Sequence, residues 1–162
     1  MNLDRQPGRR GDLSIATPYG EVIVRDEGRE ITFRLFRDLR QSEHSFYLYR
    51  YIEQVLYAGV DRFNVDHLNF PTADKSISLA RGKSRLDLIY YRQGKIYEVE
   101  LKSAKMLGID QTRRQLQELS RYCSNLILAV PDYLRDDAEQ LLALMNLPTR
   151  IIIDTYPIVK EQ

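Results

Sequence analysis

The stretch from Arg85 to Lys102, RLDLIYYRQGKIYEVELK, limits the fold of this chain more than any other. Two runs rich in β-branched and aromatic residues alternate with period two around Gln93-Gly94, which is the pattern of a β-hairpin. A two-residue loop sets Arg92 opposite Lys95, and the register then follows by counting back. Tyr90 faces Tyr97, Leu88 faces Val99 and Leu86 faces Leu101, giving one apolar face. On the other face Asp87 lies opposite Glu100, and Arg85 opposite Lys102. Two carboxylates directly across a ladder repel each other. A cation between them would resolve the conflict, and a hard divalent ion such as Mg²⁺ takes one or two carboxylates together with water and phosphate oxygens.

Glu98, Glu100 and Lys102 are spaced by two and leave one strand face. An ammonium there can orient a water held beside the carboxylates. The same alternation also suits a solvated sheet face laced with ordinary ion pairs.

Asp87 followed by Glu100-Leu101-Lys102 at a hairpin's spacing resembles the D…(D/E)-x-K signature of the PD-(D/E)XK nuclease superfamily, over roughly residues 76–155. Leu86 stands where many members have proline. The resemblance implies an α/β fold: a restriction-endonuclease-like core, with a mixed sheet flanked by helices. It implies an Mg²⁺- or Mn²⁺-dependent DNA nuclease acting in repair, recombination or replication. Asp87 and Glu100 would be metal ligands, the Leu101 carbonyl a third, and Lys102 the residue that positions the attacking water. Many members add an acid from the first core helix, for which Glu43 and Glu53 are the candidates, and Glu98 is a further accessory candidate. RecB-like members place a glutamine on the helix after the motif, a role that Gln111 or Gln115 would take. By analogy with junction and palindrome cutters, a homodimer is also expected. Two rival readings are a binding module of the same fold that has lost cleavage, and a protein-interaction domain with no nucleic-acid role.

Charge distribution agrees with a nucleic-acid partner. The whole chain carries only +1, yet Lys75 to Tyr122 holds eleven basic and five acidic residues, a net of +6, against −5 for the remainder. A local basic field is the footprint of phosphate contacts, and Arg81, Lys83, Arg113 and Arg114 are the expected contacts. The single Cys123 offers neither an internal disulfide nor a zinc cluster. No phosphate-binding GxxxxGK[ST] loop and no GxSxG elbow is present. No apolar run reaches the eighteen residues of a membrane span, and the first twelve residues lack the apolar stretch of a secretory signal. An intracellular protein without membrane association is the expectation.

At 162 residues one domain is expected. Residues 1–12 read as a flexible arm and 13–162 as the domain, with a small N-terminal β extension over 13–36 and a core over 42–155. The extension breaks at Pro18-Tyr19-Gly20 and Asp26-Glu27-Gly28. A helix is expected from Ser42 to Gly59, with Phe46, Tyr49, Ile52, Val55 and Leu56 inward. His44 reads as a surface or capping residue, and His67 has no role. Residues 64–74 read as loop, Ser76–Ala80 as a short strand, and Arg81-Gly82-Lys83 as a basic turn that could approach a phosphate. Residues 103–108 read as a connection. A helix follows from Asp110 to about Tyr122, with Thr112, Leu116, Leu119 and Cys123 buried, and Gln111, Gln115, Glu118 and Tyr122 on a neighbouring stripe. NLILAV (125–130) and RIIID (150–154) read as buried strands around a helix broken at Leu147-Pro148.

Overall fold

A computed structural model of the protein describes residues 13–17, 20–35, 39–68 and 70–158. The expected arm at 1–12 and the Pro18-Tyr19 turn lie outside these residues. The fold is α/β, a mixed open sheet flanked by helices. Its centre is the predicted hairpin, β7 (Leu88–Arg92) and β8 (Lys95–Leu101). Arg92 pairs with Lys95, Tyr90 with Tyr97 and Leu88 with Val99. Gln93 (φ 52°) and Gly94 (φ 75°) are both left-handed, as a two-residue primed turn requires. The Tyr90 and Tyr97 rings stack with centroids 4.9 Å apart.

The predicted register fails at one end. Leu86 does not face Leu101: its amide donates to the Leu79 carbonyl, and its side chain joins the core on the opposite side of the sheet. Arg85 does not face Lys102 either. It belongs to β6 (Ser84–Arg85), which pairs with β5 (Ala80–Arg81), and its Nε donates to Asp66. The β7–β8 ladder ends at Asp87, whose amide donates to Val99 O at 3.1 Å. Beyond that point the Asp87 carboxylate accepts from the Leu101 amide at 2.8 Å. A side chain thus replaces the strand that has turned away, because a buried amide left without a partner would cost too much.

The expected strand at Ser76–Ala80 is irregular, with only Ala80 extended. The first strand of the large sheet is instead β4 (Arg62–Val65), in a stretch largely read as loop. Four residues carry too short an alternation to be seen. Phe63 and Val65 bury on one face, while Asn64 turns to the other and donates to Ile77 O. The large sheet runs β10-β9-β8-β7-β4, with β9 at Leu126–Pro131 and β10 at Ile152–Tyr156. β4, β7 and β8 are antiparallel; β8, β9 and β10 are parallel. β9 includes Pro131, and β10 starts two residues after the expected Arg150 and is only part-buried, with Ile152 exposed.

Alternation along the strands feeds two cores. Leu88, Tyr90, Val99, Leu101, Ile127 and Ala129 face helix α1 (Leu39–Ala58). That helix starts before the predicted Ser42 and turns inward Leu48, Tyr51, Ile52 and Val55, with the expected Tyr49 and Leu56 half-buried against the same core and Tyr49 stacked on Phe70. Ile89, Leu126, Leu128 and Val130 face α3 (Asp110–Tyr122) and α4 (Arg135–Ala143). The predicted Thr112, Leu116, Leu119 and Cys123 are buried there. One turn of helix, α2 (Ala104–Leu107), interrupts the expected connection. The N-terminal residues form a separate antiparallel meander, β1 (Leu13–Thr17), β2 (Gly20–Arg25) and β3 (Glu30–Leu35).

Candidate functional site

The end of the β7–β8 ladder opens into a cleft of about 640 Å³. Asp87, Glu100, Leu101 and Lys102 form its floor. α3 supplies one wall through Gln111, Arg114, Gln115 and Glu118. His44, Asp66 and His67 close another, and the β5–β6 turn supplies Lys83 and Arg85 at the rim.

The three motif side chains are nearly buried: Asp87 is 7 % exposed, Glu100 3 % and Lys102 7 %. Both Asp87 oxygens are engaged. Oδ2 accepts from the Leu101 amide, and Oδ1 lies 2.9 Å from His44 Nε2. An ionised carboxylate only accepts, so Nε2 carries the proton. Lys102 Nζ is 3.0 Å from Glu100 Oε1 and donates to Gln115 Oε1 at 2.6 Å. Glu100 Oε2 is buried with no hydrogen-bond partner. Burial, and after it the Asp87 carboxylate, hold the Glu100 carboxyl well above its usual range, while Lys102 pulls the other way. Burial alone would lower His44, but the hydrogen bond and charge of Asp87 outweigh it and raise its pKa above 6.5.

His44 takes the place on the first helix where an acid was expected. Glu53 pairs with Arg50 at the surface, nine residues further on, roughly 13 Å along the helix. Glu43 lies beside the cleft, 3.5 Å from Lys105, in a hollow shared with His67, Met106 and Ile109. Neither glutamate lines the cleft itself. Glu98 is engaged away from the cleft lining. It is 2 % exposed and accepts from Arg81 Nε at 2.7 Å and from the Ser124 amide at 2.9 Å.

That pairing removes Arg81 from the expected phosphate contacts, since its guanidinium also donates to the Ser78 and Ala80 carbonyls. Arg113 is exposed, but on a helix it points about 200° away from Gln111 and Gln115 and does not line the cleft. Lys83 and Arg114 do line it, with Arg85 as an unanticipated third cation.

The stripe Gln111, Gln115, Glu118, Tyr122 has a structural meaning. Glu118 accepts from the Lys83 amide at 3.1 Å, and the Tyr122 ring covers Gly82. A Cβ at Gly82 would stand 2.5 Å from that exposed ring, and φ there is +57°, so another residue would be strained and would have to displace Tyr122. Gly82 therefore serves to lock the turn against α3, which leaves Lys83 facing the cleft.

His44, Asp66, His67 and Arg85 are the members that sequence reasoning missed. His44 had a legible signal: it stands four residues before Leu48 and seven before Tyr51, on the buried stripe of α1. Asp66 and His67 follow the unrecognised β4, and Asp66 joins His67 at 2.8 Å to Arg85 at 2.9 Å. Among the described residues no group of three or more His, Cys, Asp or Glu side chains is arranged to hold a metal ion. Among them, too, no helix is long and apolar enough to cross a membrane. No protein-family model, no curated protein and no solved structure matches the chain.

Proposed function

We propose that the chain is a metal-dependent deoxyribonuclease of the PD-(D/E)XK kind, with Asp87, Glu100 and Lys102 as its working residues. One observation carries this reading: Glu100 Oε2, buried beside a second carboxylate, has no partner in the protein. Such an atom is costly unless a proton shared with Asp87 or a group from outside the chain satisfies it. A divalent cation fits that position in charge and in ligand preference. Two carboxylates with a backbone carbonyl, that of Leu101, and water form an ordinary Mg²⁺ environment, which needs no cluster of three acidic side chains. The chemistry that Mg²⁺ or Mn²⁺ supplies when bound is Lewis-acid polarisation of a phosphoryl oxygen and a lowered pKa for water.

The chain's own residues do the rest. His44 and the Leu101 amide fix the Asp87 carboxylate from two sides. Glu100 and Gln115 hold the Lys102 ammonium, which has three donors; the third can point at a water or a phosphate oxygen in the cleft. Lys83, Arg85 and Arg114 attract the sugar–phosphate backbone, positioning it without reading sequence. Water adds to phosphorus and the bond to one sugar oxygen breaks.

A second reading is a binding module on the same fold without cleavage, favoured by the engagement of both Asp87 oxygens within the chain, by His44 and by the Leu101 amide. One experiment separates the two. The protein is incubated with linear, flapped, single-stranded and four-way-junction DNAs in Mg²⁺, Mn²⁺ or EDTA. Cleavage of at least one substrate that EDTA abolishes is expected. DNA binding that is unaffected by EDTA, with no substrate cut, would leave the binding module.

A further inference from the structure

We infer that strand β3 is a self-association edge, through which two copies of this chain join their meanders into one six-stranded sheet. Among the described residues β3 is an outer strand, paired with β2 on one side only. An outer strand presents a row of backbone donors and acceptors, a template for another strand. Its sequence, EITFRL, carries one acid and one base placed symmetrically about Thr32. Both charged residues are exposed. When β3 lies antiparallel to its own copy with Thr32 opposite Thr32, Glu30 of each chain falls opposite the partner's Arg34. A register centred one residue earlier, on Ile31, loses both pairs. In an antiparallel ladder residues directly opposite share a sheet face, so the Thr32-centred register also keeps the same face uppermost in both copies.

The opposite face, that of Ile31, supplies the second observation. Leu13 lies opposite Val24, and Val24 opposite Ile31, which makes an apolar row across the meander. Leu13 is 55 % and Ile31 68 % exposed, and neither belongs to the two cores of the large sheet. In the Thr32-centred register Ile31 falls opposite the partner's Phe33, which gives it an apolar neighbour. β1, the other outer strand, reads LSIAT and has no charge with which to fix a register. Within the chain Glu30 lies opposite Arg25 and Arg34 opposite Glu21 on β2; a second copy adds a further opposite charge on the free side of each, which singles out β3 and a second copy of this chain, rather than an unrelated strand, as the occupant.

Sedimentation of the full chain over a concentration series tests this. The parent is expected to form a dimer. Glu30→Arg and Arg34→Glu, each alone, put like charges opposite each other twice per dimer and should weaken association about tenfold or more. In a mixture of the two variants, one chain brings two bases to the edge and the other two acids. Both cross-strand pairs between the chains are then of opposite charge again, and the heterodimer should form far more strongly than either variant with itself. This rescue in trans also shows that both variants are folded. A parent that stays monomeric at every concentration overturns the inference. So do single variants that dimerise like the parent, or a mixture that remains monomeric. Cleavage plays no part in the measurement, so its outcome is independent of the nuclease reading.

Discussion

Glu98 and Glu100 stand two residues apart on one face of β8, and both are almost wholly buried, at 2 % and 3 % exposure. Their surroundings are opposite. Glu98 is enclosed by Arg81 and by the amides that follow α3, and its charge is spent within the protein. Glu100 shares one oxygen with Lys102 and has the other left over, facing a second carboxylate and an open cleft. Burial is therefore a poor marker of function. What distinguishes the two is whether the chain itself satisfies the charge it has buried. By that criterion Glu98 holds the structure together and Glu100 is kept available.

The largest effects should fall on the Glu100 side. Glu100→Gln should abolish metal-dependent cleavage while the protein remains folded. Lys102→Met should slow single-turnover cleavage by about 10²–10⁴-fold, while DNA affinity measured in Ca²⁺ changes only a few-fold. Equal losses of affinity and rate would reduce Lys102 to a phosphate contact and blur the distinction between the two ends of the strand.

Glu98→Gln should do the reverse. It leaves Arg81 without its counter-charge in a largely buried setting, where breaking such a pair costs about 3 kcal/mol. Denaturant unfolding should show the loss, and cleavage at saturating metal should persist in the fraction that is folded. A Glu98→Gln protein of parental stability would contradict the structural role.

A smaller contrast lies on α3. Arg114→Ala should weaken DNA binding and lower the slope of log affinity against log salt by about 1. Arg113→Ala, on the adjacent but outward position, should leave both unchanged. If the two variants behave alike, the cleft is not where the DNA backbone lies.

The smallest effect concerns Cys123. Burial, and after it Glu98, push the thiol up to about 12. The thiolate is the nucleophile, so at about pH 8.5, where an ordinary thiol is half ionised, the native protein should resist alkylation, as mass spectrometry would show. Glu98→Gln removes the second influence and keeps the first, so alkylation should quicken only modestly. Rapid modification of the parent at that pH would mean that this end of β8 is open rather than sealed.

The sequence displayed the hairpin because its alternation is long and its turn is chemically marked. Leu88, Tyr90, Tyr97 and Val99 all fall where period two puts them. It failed at Leu86 because period two has no means of saying where a strand leaves its partner; here the departure depends on the Leu79 carbonyl and on a side-chain substitute, Asp87. Asp87, Glu100 and Lys102 were legible as a set because all three lie close to that one hairpin. The residues around them come from distant segments, and only the fold brings His44, Asp66 and Gln115 to the same cleft. Charge counting along the sequence could not divide the basic residues, and in the cleft Lys83, Arg85, Lys102 and Arg114 stand among Asp66, Asp87, Glu100 and Glu118. Arg81 and Lys83 flank the same glycine; one is tied to Glu98 and the other faces the cleft.

The central claim is that the chain keeps Glu100 unsatisfied for a cation, and thermal melting of the parent and of Glu100→Gln, in EDTA and in Mn²⁺, tests it most directly. Because the folded-state pKa of Glu100 is raised above the ordinary 4.5, its contribution to stability is full below that pH and is lost as pH rises through the folded value. Glu100→Gln escapes this loss. In EDTA it should be the more stable protein at neutral pH, by a margin that shrinks as pH falls toward 4.5. Mn²⁺ should then raise the parent's melting temperature and reverse the order, since a ligand that binds only the folded state stabilises it, while the variant barely responds. A parent that melts at the same temperature with and without Mn²⁺, or a variant that gains as much from the metal as the parent does, would contradict the account.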